Sequence, residues 1–125
     1  MKSNLIKLAG FAAVIAFASP AFADGDAAAG EKVFNKCKAC HTLEEGKNKV
    51  GPSLHGVFGR KAGSVDGFKY SKAMTDYGVT WDDDEMKKFL ADPKGVVPGT
   101  RMTFAGLKKE DEIENVIAYL KANGG

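Results

Sequence analysis

Ten glycines fall between residues 46 and 106 (Gly46, Gly51, Gly56, Gly59, Gly63, Gly67, Gly78, Gly95, Gly99 and Gly106), and they limit what the chain can fold into. Glycine at this density marks turns and irregular loops. Apolar side chains recur at helical spacing in only three stretches. The first runs from about Ala27 to Lys36, with Asp26 as N-cap and Ala29, Val33 and Phe34 as its stripe. The second follows "TWDDDE", where the acidic residues suit a helix N-terminus; Met86, Phe89 and Leu90 recur on it and Pro93 ends it. In the third, Ile113, Val116, Ile117 and Leu120 follow i, i+3, i+4, i+7, with Asp111 and Glu112 at the start and Gly124-Gly125 at the stop. No alternation marks a sheet. Three short helices joined by long loops bury too little apolar area to hold a domain of this size together. Something outside the chain has to complete the core, and a large flat apolar cofactor would do so.

The amino end reads as an address. Lys2 and Lys7 precede the apolar run Leu8 to Ala18, and Ala21-Phe22-Ala23 has the small-x-small pattern of a leader cut after Ala23. Residues 1–23 are thus predicted to be a secretory signal peptide and residues 24–125 a single domain. The run is too short for a spanning helix, which needs about 20 residues, so no stable membrane insertion is expected. An exported chain meets an oxidising compartment, where Cys37 and Cys40 could also form a disulfide. The whole sequence has 18 basic and 16 acidic side chains, and loss of Lys2 and Lys7 makes it formally neutral. Bulk charge therefore points to no nucleic acid. The charges are segregated, however, with acidic runs at Trp81–Glu85 and Glu110–Glu114.

The only two cysteines stand in "CKACH", Cys37 to His41. Zinc needs about four ligands, and Cys40 and His41 are adjacent, which is awkward for a shared tetrahedron. A thiol oxidoreductase places C-x-x-C at a helix start beside a βαβ pattern; here the pair ends a helix and no such pattern exists. Haem attachment accounts for each position. Two thiols add to the two vinyl groups of one porphyrin edge, and the histidine that follows reaches the iron. The opposite iron ligand would come from His55, Met74, Met86 or Met102. Met86 fits a helix core and Met74 also reads as core, while His55 in "GPSLHG" reads as a loop histidine. Met102 lies in "VPGTRMTF", a loop shaped by Pro98 and Gly99 in which no helix claims the side chain.

With these stretches in view the chain resembles the class I c-type cytochromes, the family of mitochondrial cytochrome c and bacterial cytochrome c2. The resemblance rests on "GDAAAGEKVFNKCKACHT", "GPSLHGVFGRKAG", "YSKAM", "GVTW", "DPKGVVPGTRMTFAG" and "IENVIAYLKA", in order along residues 24–125. It implies an all-α fold, with three main helices and long loops wrapped around one covalently bound haem c. It implies thioethers from Cys37 and Cys40 and iron ligation by His41 and Met102. Pro52 would accept the other ring N–H of His41. Arg60, Tyr70, Trp81 and Thr100 would meet the haem propionates, and Gly30, Phe34 and Tyr119 would mark a crossing of the first and last helices. Two positions depart from the mitochondrial pattern: Phe89 stands where tyrosine is usual, and Met74 where asparagine is frequent. Both changes remove polar groups from the expected haem pocket.

The function so implied is a soluble, monomeric, periplasmic one-electron carrier, not an enzyme. It would shuttle electrons between respiratory or photosynthetic complexes. Partners would be membrane redox complexes or soluble redox proteins, docking at the haem edge through Lys36, Lys38, Lys49, Lys94, Arg101, Lys108 and Lys109. The competing reading is a haem peroxidase or gas-binding haem protein, which needs an open iron position and a polar distal group.

Overall fold

The computed structural model describes residues 25–125, so the leader expected at residues 1–23 lies outside the described residues. Among the described residues five helices form: α1 (Ala27–Phe34), α2 (Lys72–Tyr77), α3 (Asp83–Ala91), α4 (Pro93–Val96) and α5 (Glu110–Ala122). Among the described residues there is no strand, only an isolated antiparallel bridge between Lys61 and Thr80. The described residues are all-α, as the sequence leads one to expect, with α1, α3 and α5 as the three periodic segments.

Each start is set locally. The Asp26 side chain accepts from Ala28 N–H at the head of α1, and Asp82 accepts from Glu85 N–H at the head of α3. Helix α1 is two residues shorter than its apolar pattern suggests. Its hydrogen bonding continues past Phe34 as turns, with Cys37 N–H to Phe34 O at 2.7 Å and His41 N–H to Cys37 O at 2.9 Å. Cys37 to His41 is therefore wound tightly against the helix end. Helices α2 and α4 are too short to show a period. Ser71 caps α2 and Gly78, left-handed at φ 56°, ends it. Pro93 does more than stop α3: it occupies the first turn of α4, and Asp92 serves both helices, as C-cap of one and N-cap of the next.

The N-terminal and C-terminal helices cross. Gly30 is buried in the crossing, and a Cβ there would strike the Asn115 backbone. The Phe34 and Tyr119 rings pack beside it with centroids 5.3 Å apart. Helix α5 buries Ile113, Val116, Ile117 and Leu120, each stabilising by about 1.5–3 kcal/mol if fully withdrawn from water. Met86, Phe89 and Leu90 of α3 join the same core. Phe34 of α1, Met86, Phe89 and Leu90 of α3, and Val116 and Leu120 of α5 also line a cavity beside that core.

Candidate haem site

The cavity encloses about 640 Å³, within the range of small-molecule and cofactor pockets. Cys37, Cys40, His41, Pro52, Arg60, Tyr70, Trp81, Thr100 and Met102 all line it. Apolar groups supply most of the remaining wall, among them Phe34, Leu54, Val57, Met86, Phe89, Leu90, Val116 and Leu120. Of the candidate iron ligands, Met74, Met86 and Met102 lie on this wall, whereas His55 is exposed and its ring sits near Gly124.

The Cys37–His41 turn is braced from the following loop. Gly51 N–H donates to Cys40 O at 2.7 Å, and Lys49 N–H donates to Gly51 O at 2.9 Å. The Lys49 ammonium donates to Lys38 O at 2.9 Å. The His41 ring is fixed on two sides. Its Nδ1 lies 2.8 Å from Pro52 O, and because a carbonyl only accepts, Nδ1 carries the proton and Nε2 keeps its lone pair. Gly51 lies against the ring, where any Cβ would collide with it. Burial pushes the His41 pKa down, the Pro52 hydrogen bond opposes this, and the Arg60 charge adds to the lowering. The neutral imidazole that a metal requires is thus favoured. Burial pushes the Cys37 thiol up, with Lys36 pulling the other way. Both thiols are free, so no disulfide competes for them.

On another wall, Arg60 and Trp81 are knitted together by backbone. Trp81 N–H donates to Arg60 O at 2.9 Å, Gly59 N–H to Trp81 O at 2.7 Å and Ala62 N–H to Val79 O at 2.7 Å. Arg60 Nη1 donates to His55 O at 2.9 Å, which leaves most of its donors unspent. The Tyr70 hydroxyl accepts from Val65 N–H at 3.0 Å, and its ring meets Phe68 edge-on at 4.8 Å. The Thr100 hydroxyl accepts from Met102 N–H at 3.2 Å. Both hydroxyls keep their own proton to donate. The sequence reading missed Gly51 as the residue packed on His41, although a glycine before a proline just after the motif was a legible signal.

Of the seven basic residues expected around the site, Lys36 and Arg101 line the cavity mouth. Lys38, Lys49, Lys94, Lys108 and Lys109 are exposed outside it. Lys36 reaches Glu112 at 4.0 Å, and the Lys108 ammonium donates to Ala105 O at 3.2 Å. Among the described residues no three His, Cys, Asp or Glu side chains gather as a metal cluster, so the zinc alternative has no ligand set there. A haem fits the residues present. The apolar cleft suits a flat macrocycle, two free thiols and one imidazole line it, and the thioethers of Met74, Met86 and Met102 line it too.

Comparison with known proteins agrees. The family model for cytochrome c matches residues 27–123. A cytochrome c2 iso-2 of Magnetospirillum fulvum is 58% identical over 89 residues, covering 71% of this chain and 93% of that one. A cytochrome c-554 of Methylosinus trichosporium is 49% identical over 126 residues, covering 99% of this chain and 96% of that one. Among solved structures, cytochrome cH from Methylobacterium extorquens superposes with a TM-score of 0.75 at 54% identity, covering 78% of this chain and 99% of that one.

Proposed function

Since this chain belongs to the cytochrome c family, whose members carry covalently attached haem c, we propose that it is a periplasmic one-electron carrier. The observation that carries the reading is the gathering of Cys37, Cys40, His41 and Met102 on one largely apolar cavity. When bound, haem c supplies a one-electron couple on its iron. Cys37 and Cys40 would hold it through thioethers, and His41 Nε2 and the Met102 sulfur would ligate the iron.

The protein's part is orientation and exclusion of water. Pro52 O fixes the tautomer and angle of His41. Gly51 holds the ring from behind. The apolar wall lowers the local dielectric, and a methionine ligand favours the reduced state, so both raise the potential. Arg60, Tyr70, Thr100 and the Trp81 indole would offer donors to buried propionates, which need them. Lys36 and Arg101 at the mouth, with Lys38, Lys49, Lys94, Lys108 and Lys109 outside it, would steer the protein to acidic patches on redox partners.

A redox titration with optical detection tests the reading, with one reversible one-electron wave expected. Reduced protein that readily binds carbon monoxide at neutral pH would instead favour the gas-binding or peroxidase alternative. Export is tested separately: protein from the periplasmic fraction should begin at Asp24.

A further inference from the structure

One peptide group carries a side-chain hydrogen bond at each end. The bond that joins Pro52 to Ser53 has its carbonyl oxygen 2.8 Å from His41 Nδ1. Its N–H donates to Asn48 Oδ1, also at 2.8 Å. An N–H only donates, so the Asn48 oxygen and not its nitrogen faces Ser53. The Nδ1–H of His41, the Pro52–Ser53 peptide and the Asn48 carboxamide therefore form one unbroken series, each member donating to the next. It runs from the imidazole on the cavity wall to a half-buried side chain that does not line the cavity.

The links of this series are held by other bonds. Ser53 is 3% exposed; its hydroxyl donates to Glu44 O at 2.6 Å and accepts from His55 N–H at 3.1 Å. Both neighbours of Asn48 are tied as well. Lys47 O accepts from the Thr42 hydroxyl at 2.8 Å, and Lys49 N–H donates to Gly51 O at 2.9 Å. Leu54 N–H donates to Thr42 O at 2.9 Å and closes the loop behind Ser53. These bonds hold the loop in place, and none of them touches the Pro52–Ser53 peptide. The Asn48 bond alone shares that peptide with the His41 acceptor.

We propose that Asn48 is a positioning residue that tunes His41 through the Pro52–Ser53 peptide, and so lowers the potential of the iron. The peptide is conjugated, so an acceptor that pulls on its N–H pushes charge on to its carbonyl oxygen. Hydrogen bonds in series strengthen one another by about 10–30% each. Pro52 O then draws harder on the Nδ1 proton, and Nε2 becomes a richer donor. A richer donor favours ferric over ferrous iron, so Asn48 works against the methionine ligand and the apolar wall, which favour ferrous. This rests on the reading of His41 as an iron ligand. It adds to the part played by Pro52, because the strength of that acceptor is set by a side chain that never meets the ring.

The test measures two quantities on the holoprotein at neutral pH and fixed salt: the midpoint potential, and the proton resonance of His41 Nδ1–H in the ferrous form. Asn48→Leu removes the acceptor without changing charge, and its bulk keeps water from taking the acceptor's place. The ferrous-to-ferric ratio at a fixed ambient potential should rise about two-fold, and the Nδ1 proton should move upfield. Asn48→Asp keeps an oxygen there and makes it a charged, stronger acceptor. It should move both readouts the other way. A role confined to holding the loop would lower the denaturation midpoint of Asn48→Leu and leave potential and proton where they were, which would overturn the relay. So would a lowered potential in Asn48→Asp with the Nδ1 proton unmoved, because charge acting through space does that without the peptide. If Asn48→Leu does not fold, the direction of the proton shift in Asn48→Asp decides. If wild-type ferrous protein shows no imidazole protons displaced by the haem ring current, the ligand reading fails first. If they are displaced and both variants match wild type, the relay alone fails.

Discussion

The backbone carbonyl of Asn115 occupies the space that a Cβ on Gly30 would need. This contact sets the closeness of α1 and α5, and through it the seating of Phe34 against Tyr119. Gly30→Ala should force the helices apart and destabilise the holoprotein by about 1–3 kcal/mol, the usual cost of overpacking a tight core position. Equilibrium denaturation read by tryptophan fluorescence measures it. An unchanged midpoint would mean that the crossing is looser than described.

Covalent attachment predicts a result in the denatured state. Extraction with acidic organic solvent should leave the haem on wild-type protein. The double variant Cys37→Ser, Cys40→Ser should release it under the same conditions. Haem that washes out of the wild type would refute thioether bonding.

The cofactor should also be needed for folding. At roughly 24 cal/mol per Å³ of void, an empty cavity of 640 Å³ would cost on the order of 15 kcal/mol, as much as a domain's whole stability. Water entering instead would wet the apolar wall. Protein prepared without haem should therefore show little helix by circular dichroism and no cooperative melting.

Tyr77 gives a pH dependence with a definite sign. Its hydroxyl donates to Glu85 Oε2 at 2.7 Å, and its pKa is raised from 10.0 to about 12 by burial, with the Glu85 hydrogen bond and charge adding to the rise. The neutral phenol is favoured in the fold. Its contribution is thus fully present below pH 10 and is lost as pH climbs toward 12. Tyr77→Phe should lower the urea midpoint near neutrality, and the gap from wild type should close across that alkaline window. A constant gap would contradict the assignment.

Docking should weaken with salt. Lys94→Glu, outside the cavity, should slow electron transfer to an isolated redox partner about three-fold to ten-fold at low ionic strength and much less at high. The visible spectrum should stay unchanged. Rates insensitive to salt would reject electrostatic steering.

The parts of this molecule that could be read in advance are those governed by neighbours in sequence. The α5 stripe from Ile113 to Leu120 and the "CKACH" spacing are local patterns, and both elements lie where those patterns put them. Helices α2 and α4 carried cap signals in Ser71, Gly78 and Asp92-Pro93, but six and four residues are too few to show a period. The ends of long side chains were not readable. Lys49, Arg101 and Lys108 looked alike as surface cations, yet each donates to a backbone carbonyl. Those partners exist only after loops distant in sequence have met. The lining of one cavity by residues from 37 to 102 was reached only through resemblance, because no local rule links Pro52 to Trp81 or Thr100.

The crossing of α1 with α5 also imposes a timetable on synthesis. Asp26 N–H donates to Asn115 Oδ1 across 89 positions, so a chain growing from its amino end makes its first helix long before that helix has anything to pack against. Closing so long a loop is slow as well as late. Through that whole interval α1 lacks the partner against which Gly30 and Phe34 pack, because α5 has still to arrive. Cys37 and Cys40 stay half-buried even in the finished fold, and the turn that carries them gains its footing only when α5 docks on the helix before it.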